Sequence, residues 1–329
     1  MSTEDVERAL VPAQPAALSK SGAKSLVARG RADLRIKEEA EEWLKRGQDL
    51  NKQRNFEAAF ACLEHGIELN PNHPEIQVVL GIMYERDGVR QDYAEAAFWY
   101  RKAAEQGHAH AQGFLGHFYA TGRGVPEDYA QAAVWSRKAA EQGDAPPQLD
   151  LGNLYYYGAG IPQDREQAAV WYRKAAEQGF AAAQNRLGTL YRDGEGVPQD
   201  CAQAAVWFLK AAEQGNADAQ CNLGVLYYNG QGVPQDFGQA AVWFRKAAVQ
   251  GGPQAQFNLG LLYRDGAGVP QSYSNAYHWF SLAAEAGTTS FTVDVKKYPD
   301  TSASHLTPEE LSQAQARASK WFAEHPARP

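Results

Sequence analysis

Apolar residues recur along this chain with a helical period that stops and resumes on a regular beat. In the segment AHAQGFLGHFYATG (109–122), Ala111, Leu115, Phe118 and Tyr119 share one side at about 100° per residue, which predicts a helix. Gly122 stands just past its end, where a left-handed cap favours glycine, and Pro126 blocks any continuation. A second apolar run then starts after Asp128, a good N-cap, with Gln131 three residues later in a capping-box pattern. The pairing recurs at Asp92/Glu95, Asp164/Gln167, Asp200/Gln203 and Asp236/Gln239, and in weakened form at Ser272/Asn275. Gly143 and its equivalents Gly107, Gly179, Gly215 and Gly251 end the second helix of each unit.

Trp99, Trp135, Trp171, Trp207, Trp243 and Trp279 fall every 36 residues. Gly116, Gly152, Gly188, Gly224 and Gly260 keep the same step, and the first copy uses Gly81 with a loop one residue shorter. A fixed period of this length signals a solenoid in which each unit buries its apolar face on its neighbours. The recurrent AAVW supplies two small residues that let helices approach, and a large tryptophan ring expected to fill the gap between them. RKAAEQG closes the helix, with its cations near the negative end of the helix dipole.

Before these units, Ala40–His73 places Trp43, Gly47, Ala59 and Pro71 as a tetratricopeptide repeat does, and resembles one. The pattern A-x-x-x-L-G-x-x-Y-x-x-G-x-G-V-P-Q-D-x-x-x-A-x-x-W-x-x-K-A-A-E-Q-G resembles that of Sel1-like repeats, relatives of the tetratricopeptide repeat. The resemblance implies an all-α, right-handed α-solenoid of stacked antiparallel helix pairs with a C-terminal capping helix, and a role as an adaptor in protein complexes. The expected organisation is a flexible N-terminal arm (1–38) with a helix near Leu26–Ala40, a tetratricopeptide-like repeat (39–73) and six Sel1-like repeats (74–108, 109–144, 145–180, 181–216, 217–252, 253–287). An irregular linker (288–305) with extended chain at FTVDV, a capping helix (306–325) opened by a Thr307/Glu310 box, and a tail (326–329) complete it.

A scaffold has to repeat, whereas a binding surface need not. On the first helix of each unit, positions equivalent to Ala111, Leu115, Gly116, Phe118 and Tyr119 keep their class. Those equivalent to Gly113, Phe114, His117, Ala120 and Thr121 change freely, and these five occupy one arc of roughly 120° opposite the core face. In tetratricopeptide-like solenoids the first helices line the concave face, so the resemblance puts this strip inside the curve. The candidate partner-binding residues are His117, Asn153, Tyr156, Tyr157, Arg186, Arg192, Asp193, Asn222, Tyr228, Asn229, Asn258, Arg264 and Asp265. Asparagine both donates and accepts, which suits a peptide backbone, and tyrosine and arginine dominate interface energetics. The expected partner is therefore a protein or peptide segment.

Composition narrows the rest. Of 329 residues 44% are hydrophobic and 22% charged, as in a folded chain, and the formal net charge of −7 offers no basic field for nucleic acid. No stretch approaches the roughly 18 apolar residues of a membrane span. The acidic N-terminus, its apolar run broken by Pro12 and Pro15, is unlike an export leader, and three scattered cysteines suit a reducing, cytoplasmic setting.

Signals for chemistry are weak. Ser21-Gly-Ala-Lys24 matches S-x-x-K, but no SDN or KTG follows. The cysteine-rich Sel1-like relatives described as β-lactamase-like or penicillin-binding carry paired cysteines in each unit, which this chain lacks. Gly194–Asp200 lacks the Lys-Ser/Thr of a phosphate loop and recurs in every unit, so it reads as a turn with a cap. His108, His110 and His117, and Cys62 with His65, lack the further ligands a structural zinc needs. Arg137-Lys138 and Arg173-Lys174, offset by Glu141 and Glu177, read as a solvated face. No catalytic residue, metal or cofactor is expected; the alternative to a groove is a structural tether acting through the convex face.

Overall fold

Sixteen α-helices and no strand make up the described residues, 20–86, 90–285 and 297–325, of the structure, a computed structural model. They divide into two compact units, Met1–Ala111 and Gln112–Pro329. The first holds α1 (Lys20–Lys52), α2 (Phe56–Leu69), α3 (Pro74–Glu85) and α4 (Tyr93–Glu105). Helix α5 (Ala109–Thr121) begins at the division. The second unit continues with α6 (Tyr129–Glu141), α7 (Ala145–Tyr157), α8 (Arg165–Glu177), α9 (Ala181–Asp193), α10 (Cys201–Glu213), α11 (Ala217–Asn229) and α12 (Phe237–Ala248). It ends with α13 (Pro253–Asp265), α14 (Tyr273–Glu285), α15 (Tyr298–Ala303) and α16 (Pro308–Glu324). Successive helices from α6 to α14 pack against one another, and the architecture is the expected all-α stack of helix pairs.

The helix pairs close around an aromatic ring set against a missing side chain. Tyr172, Phe208, Phe244 and Phe280 are at most 1% exposed. A Cβ on Gly152, Gly188, Gly224 or Gly260 of the facing helix would lie 2.5, 2.7, 2.6 or 2.6 Å from that ring. Tyr100 and Gly81 repeat the arrangement in the first unit. The expected gap-filler, tryptophan, is the residue before: Trp171 and Trp243 are 8% exposed, and Trp135 and Trp207 are only half-buried. The tryptophans form a lid rather than the centre, and Lys138, Lys174, Lys210 and Lys246 place Nζ 3.9–4.3 Å from their ring centroids. Arg137 and Arg173 reach the hydroxyls of Tyr155 and Tyr191 in the next repeat at 2.7 and 2.8 Å. The expected solvated Arg-Lys face is thus exposed but engaged.

Capping is one-sided. Asp128, Asp164, Asp200 and Asp236 accept from the backbone N–H of Gln131, Gln167, Gln203 and Gln239 at 2.9–3.0 Å. The reciprocal half of the expected capping box is not formed, because each aspartate N–H already donates to Tyr119, Tyr155, Tyr191 or Tyr227 O at 2.8–2.9 Å. Among the described residues the full box closes only at Thr307/Glu310, where Glu310 accepts from Thr307 N at 2.9 Å and Thr307 Oγ1 accepts from Glu310 N at 3.3 Å.

Repeats are joined by buried amides. Gln148, Gln184, Gln220 and Gln256 donate Nε2 to Ala140, Ala176, Ala212 and Ala248 O of the preceding repeat at 3.0–3.2 Å. Oε1 of Gln148, Gln184 and Gln220 accepts from Gln178, Gln214 and Gln250 at 2.8 Å. Gln256 Oε1 is buried without a partner, since the sequence has Ala286 where the other repeats have that donor.

Two expectations at the ends need correction. The helix expected near Leu26–Ala40 is longer: α1 begins at Lys20 and runs on to Lys52, so residues 20–38 of the expected arm are helical; Ala, Leu, Arg, Lys and Glu without proline let a helix propagate cheaply. Part of the expected irregular linker is α15, held because Tyr298 stands 5.0 Å from Phe257 and 5.2 Å from Phe280. Residues 1–19, the FTVDV stretch and the 326–329 tail lie outside the described residues.

His278 on α14 is half-buried with Nδ1 unpaired; burial first, and then Arg317 of α16, lower its pKa from 6.5 to about 4. The folded form resists a proton that the unfolded chain accepts. Stability therefore falls as pH drops below 6.5 and levels off below about 4. The expected loss, discounted for solvent screening, is on the order of 1 kcal/mol. Urea titrations at pH 7 and pH 4, on about that scale, should show a larger change for the native chain than for His278→Gln.

Candidate functional site

The varied arc lies opposite the face of α5, α7, α9, α11 and α13 that carries buried Leu115, Gly116 and Phe118 on α5 and the Leu-Gly-x-Leu leucines and glycines on the other four, and within the arc Asn185 and Phe257 are themselves buried. On α7, Tyr157 is 61% exposed while its neighbour Tyr156 is half-buried. The Tyr156 hydroxyl donates to Glu195 Oε2 at 2.7 Å, and Arg165 lies 4.9 Å over its ring while pairing with Glu195. That hydrogen bond, followed by burial, raises the Tyr156 pKa. Asn153 accepts from the Tyr172 hydroxyl at 2.8 Å.

Helices α9 and α11 share one polar chain. Arg192 grips both oxygens of Asp193 at 2.7 and 2.8 Å and reaches Asn222 Oδ1 at 3.1 Å. Asn222 in turn donates to Asn185 Oδ1 at 3.0 Å. Charge-assisted forks of this kind fix the guanidinium in place. Arg264 holds Asp265 in the same way at 2.7 and 2.9 Å. Arg186 and Asn229 are exposed, Tyr228 is 36% exposed with its ring edge on Phe237, and half-buried Asn258 accepts from Gln254 at 3.4 Å. A cleft of about 290 Å³ runs across these helices between Asn185, Arg186, Asp218, Asn222 and Gln254. Cys221 lines it, its thiol pushed up to about 12 by burial, so it is a poor nucleophile.

The structure thus brings Arg192, Asp193 and Asn222 together, with Arg186 lining the cleft beside Asn222, and leaves Tyr157 one rung away on α7 and His117 two rungs away on α5. Sequence reasoning missed Arg165 and Glu195, which clamp Tyr156. The variable residue between the two loop glycines (Arg123, Ala159, Glu195, Gln231, Ala267) was the signal that could have found Glu195. Among the described residues no group of three or more His, Cys, Asp or Glu is placed to hold a metal ion. Ser21 and Lys24 fall in the first turns of α1. None of the described helices is long and apolar enough to cross a membrane.

Helix pairs joined by identical buried amides, with chemistry varied on one side only, define a repeat scaffold of the α-solenoid class. The Sel1 repeat profile matches residues 74–108, 109–144, 148–180, 181–216, 217–252 and 253–288, and the chain belongs to the Sel1 repeat family. It is similar to c5321, a protective antigen present in uropathogenic Escherichia coli strains displaying an SLR fold, with 34% identity and a TM-score of 0.66 over 78% of this chain and 55% of that one. It is similar also to a Sel1 repeat protein from Oxalobacter formigenes, with 31% identity and a TM-score of 0.66 over 76% of this chain and 99% of that one. A search of curated proteins returned no match. Sel1 solenoids commonly serve as protein-interaction scaffolds and are generally non-catalytic.

Proposed function

We propose that this chain is a non-catalytic adaptor that binds an extended protein segment along the first-helix face of α7–α13, the concave side in this class of solenoid. The observation that carries the reading is the fixed polar chain Arg192–Asn222–Asn185, flanked by the exposed rings of Tyr157 and Tyr228. Side chains already held in place lose little entropy on binding, and exposed tyrosines supply apolar contact area at low cost. The rival surface is the row Val134, Val170, Val206 and Val242 on the second helices, 43–48% exposed. It repeats one residue type and so carries no address for a particular partner.

Selection from a displayed random-peptide library tests this. Enriched peptides should lose at least tenfold in affinity for Tyr157→Ala/Tyr228→Ala, about 1.4 kcal/mol, and little for Val170→Glu/Val206→Glu. Tyr156 is left intact because it holds Glu195, and truncating it would disturb the scaffold itself. The opposite ranking would move the site to the second helices.

A further inference from the structure

In five of the six repeats the residue after the tryptophan is aromatic: Tyr100, Tyr172, Phe208, Phe244 and Phe280. The second repeat has Ser136 instead. Ser136 is 2% exposed and keeps the close approach to its glycine, since a Cβ on Gly116 would lie 2.6 Å from Ser136 Oγ. It sends no ring past that glycine. A pocket of about 300 Å³ opens there, with buried Gly116, Ser136 and Leu154 behind and the more exposed His117, Asp150 and Tyr157 in front.

We propose that this pocket receives a tyrosine side chain of the bound segment, a ring from the partner taking the seat that the chain's own ring takes in the other repeats. The proposal rests on the adaptor reading above. Three observations choose the ring and its hydroxyl. A cavity of about 150 Å³ already admits benzene, so the volume holds a ring with a para substituent. The chain seats a ring against the equivalent glycine in each other repeat, and where that ring is tyrosine its hydroxyl donates to the facing helix: Tyr172 to Asn153 at 2.8 Å, and Tyr100 to Glu85 at 3.0 Å. Asp150 supplies the acceptor: burial raises its pKa against the opposing pull of His117, and hydrogen bonding to a donor would relieve that burial.

The test uses p-cresol, the tyrosine side chain as a free molecule, and toluene, which lacks the hydroxyl. Amide chemical shifts are followed in the full chain, in Ser136→Phe and in Asp150→Leu, which removes the acceptor and keeps the branched shape. p-Cresol should shift Gly116 and Leu154 in the native chain, bind at least tenfold more weakly to Ser136→Phe, and lose its preference over toluene in Asp150→Leu. Ser136→Phe should also raise the melting temperature by filling the space. If that variant fails to fold, Ala120→Leu, which enters the pocket from α5, replaces it. Equal p-cresol binding to the blocked and native proteins, or none to either, overturns the proposal whatever the peptide library returns. If p-cresol binds as expected while Tyr157→Ala/Tyr228→Ala leaves peptide affinity unchanged, the pocket stands and the groove reading falls.

Discussion

Phe208→Ala is expected to cost about 3–5 kcal/mol of stability, the range for removing a fully buried aromatic side chain. The ring is 0% exposed, sits within van der Waals contact of Gly188, and shares its cluster with Leu223, Leu226 and Trp243 of the next repeat. Alanine would therefore leave a void touching two repeats. Trp207→Ala is the control: its half-buried ring lies under Lys210, so its loss should cost about half as much, in line with partial burial. Urea denaturation followed by far-ultraviolet circular dichroism measures both. Equal costs would mean that the tryptophan carries as much of the packing as the residue after it, and a larger cost for Trp207→Ala would make the tryptophan the structural centre of the repeat.

Gly196→Ala should be comparably severe, at about 3 kcal/mol or more from left-handed strain and overpacking together. Gly196 has φ +68°, and a Cβ there would lie 2.1 Å from the carbonyl oxygen of Arg165, at the start of α8 in the preceding repeat. That contact is with backbone, which has no rotamer to change, so the loop would have to lift off its neighbour. Gly194, two residues earlier, separates the two causes: it has φ +71°, but its Cβ would come no nearer than 3.1 Å to Gln199 Cβ and 3.5 Å to the Gln199 backbone. Gly194→Ala should cost about 1–2 kcal/mol, the left-handed strain alone. Thermal melts of the two variants decide it, and identical midpoints would show that the stacking contact carries nothing.

Local rules made much of this fold legible before any coordinates. The 36-residue step, the aspartate N-caps and the glycine ends follow from backbone chemistry that acts within a few residues. What escaped depends on neighbours far along the chain. Tryptophan stands in all six repeats and an aromatic follows it in five, so recurrence favoured the tryptophan, and only the packed pair shows that Phe208, and not Trp207, meets the glycine. The glutamines of AEQG read as helix-ending polar residues, because their partners lie 30 positions back, as with Gln178 and Gln148. The capping boxes were overcounted because the aspartate N–H is claimed by a tyrosine carbonyl 9 residues earlier, as with Asp164 and Tyr155. The arc itself was legible as variation. That Tyr156 is tied to Glu195 while Tyr157 packs edge-on against Tyr156 and stays 61% exposed was not, since both lie on the same helix face within 100° of each other.

The uniform amide joint between repeats makes the molecule editable in whole pieces. Excising residues 181–216 would bring Gln220 to the carbonyl of Ala176, where Gln184 stands now, and the joint would be chemically the same. Duplicating that span would do likewise. A gene encoding such joints can gain or lose 36 codons without breaking the fold, while each edit reorders the side chains along the strip. On the adaptor reading proposed above, partner choice would drift by recombination between repeats as well as by point substitution.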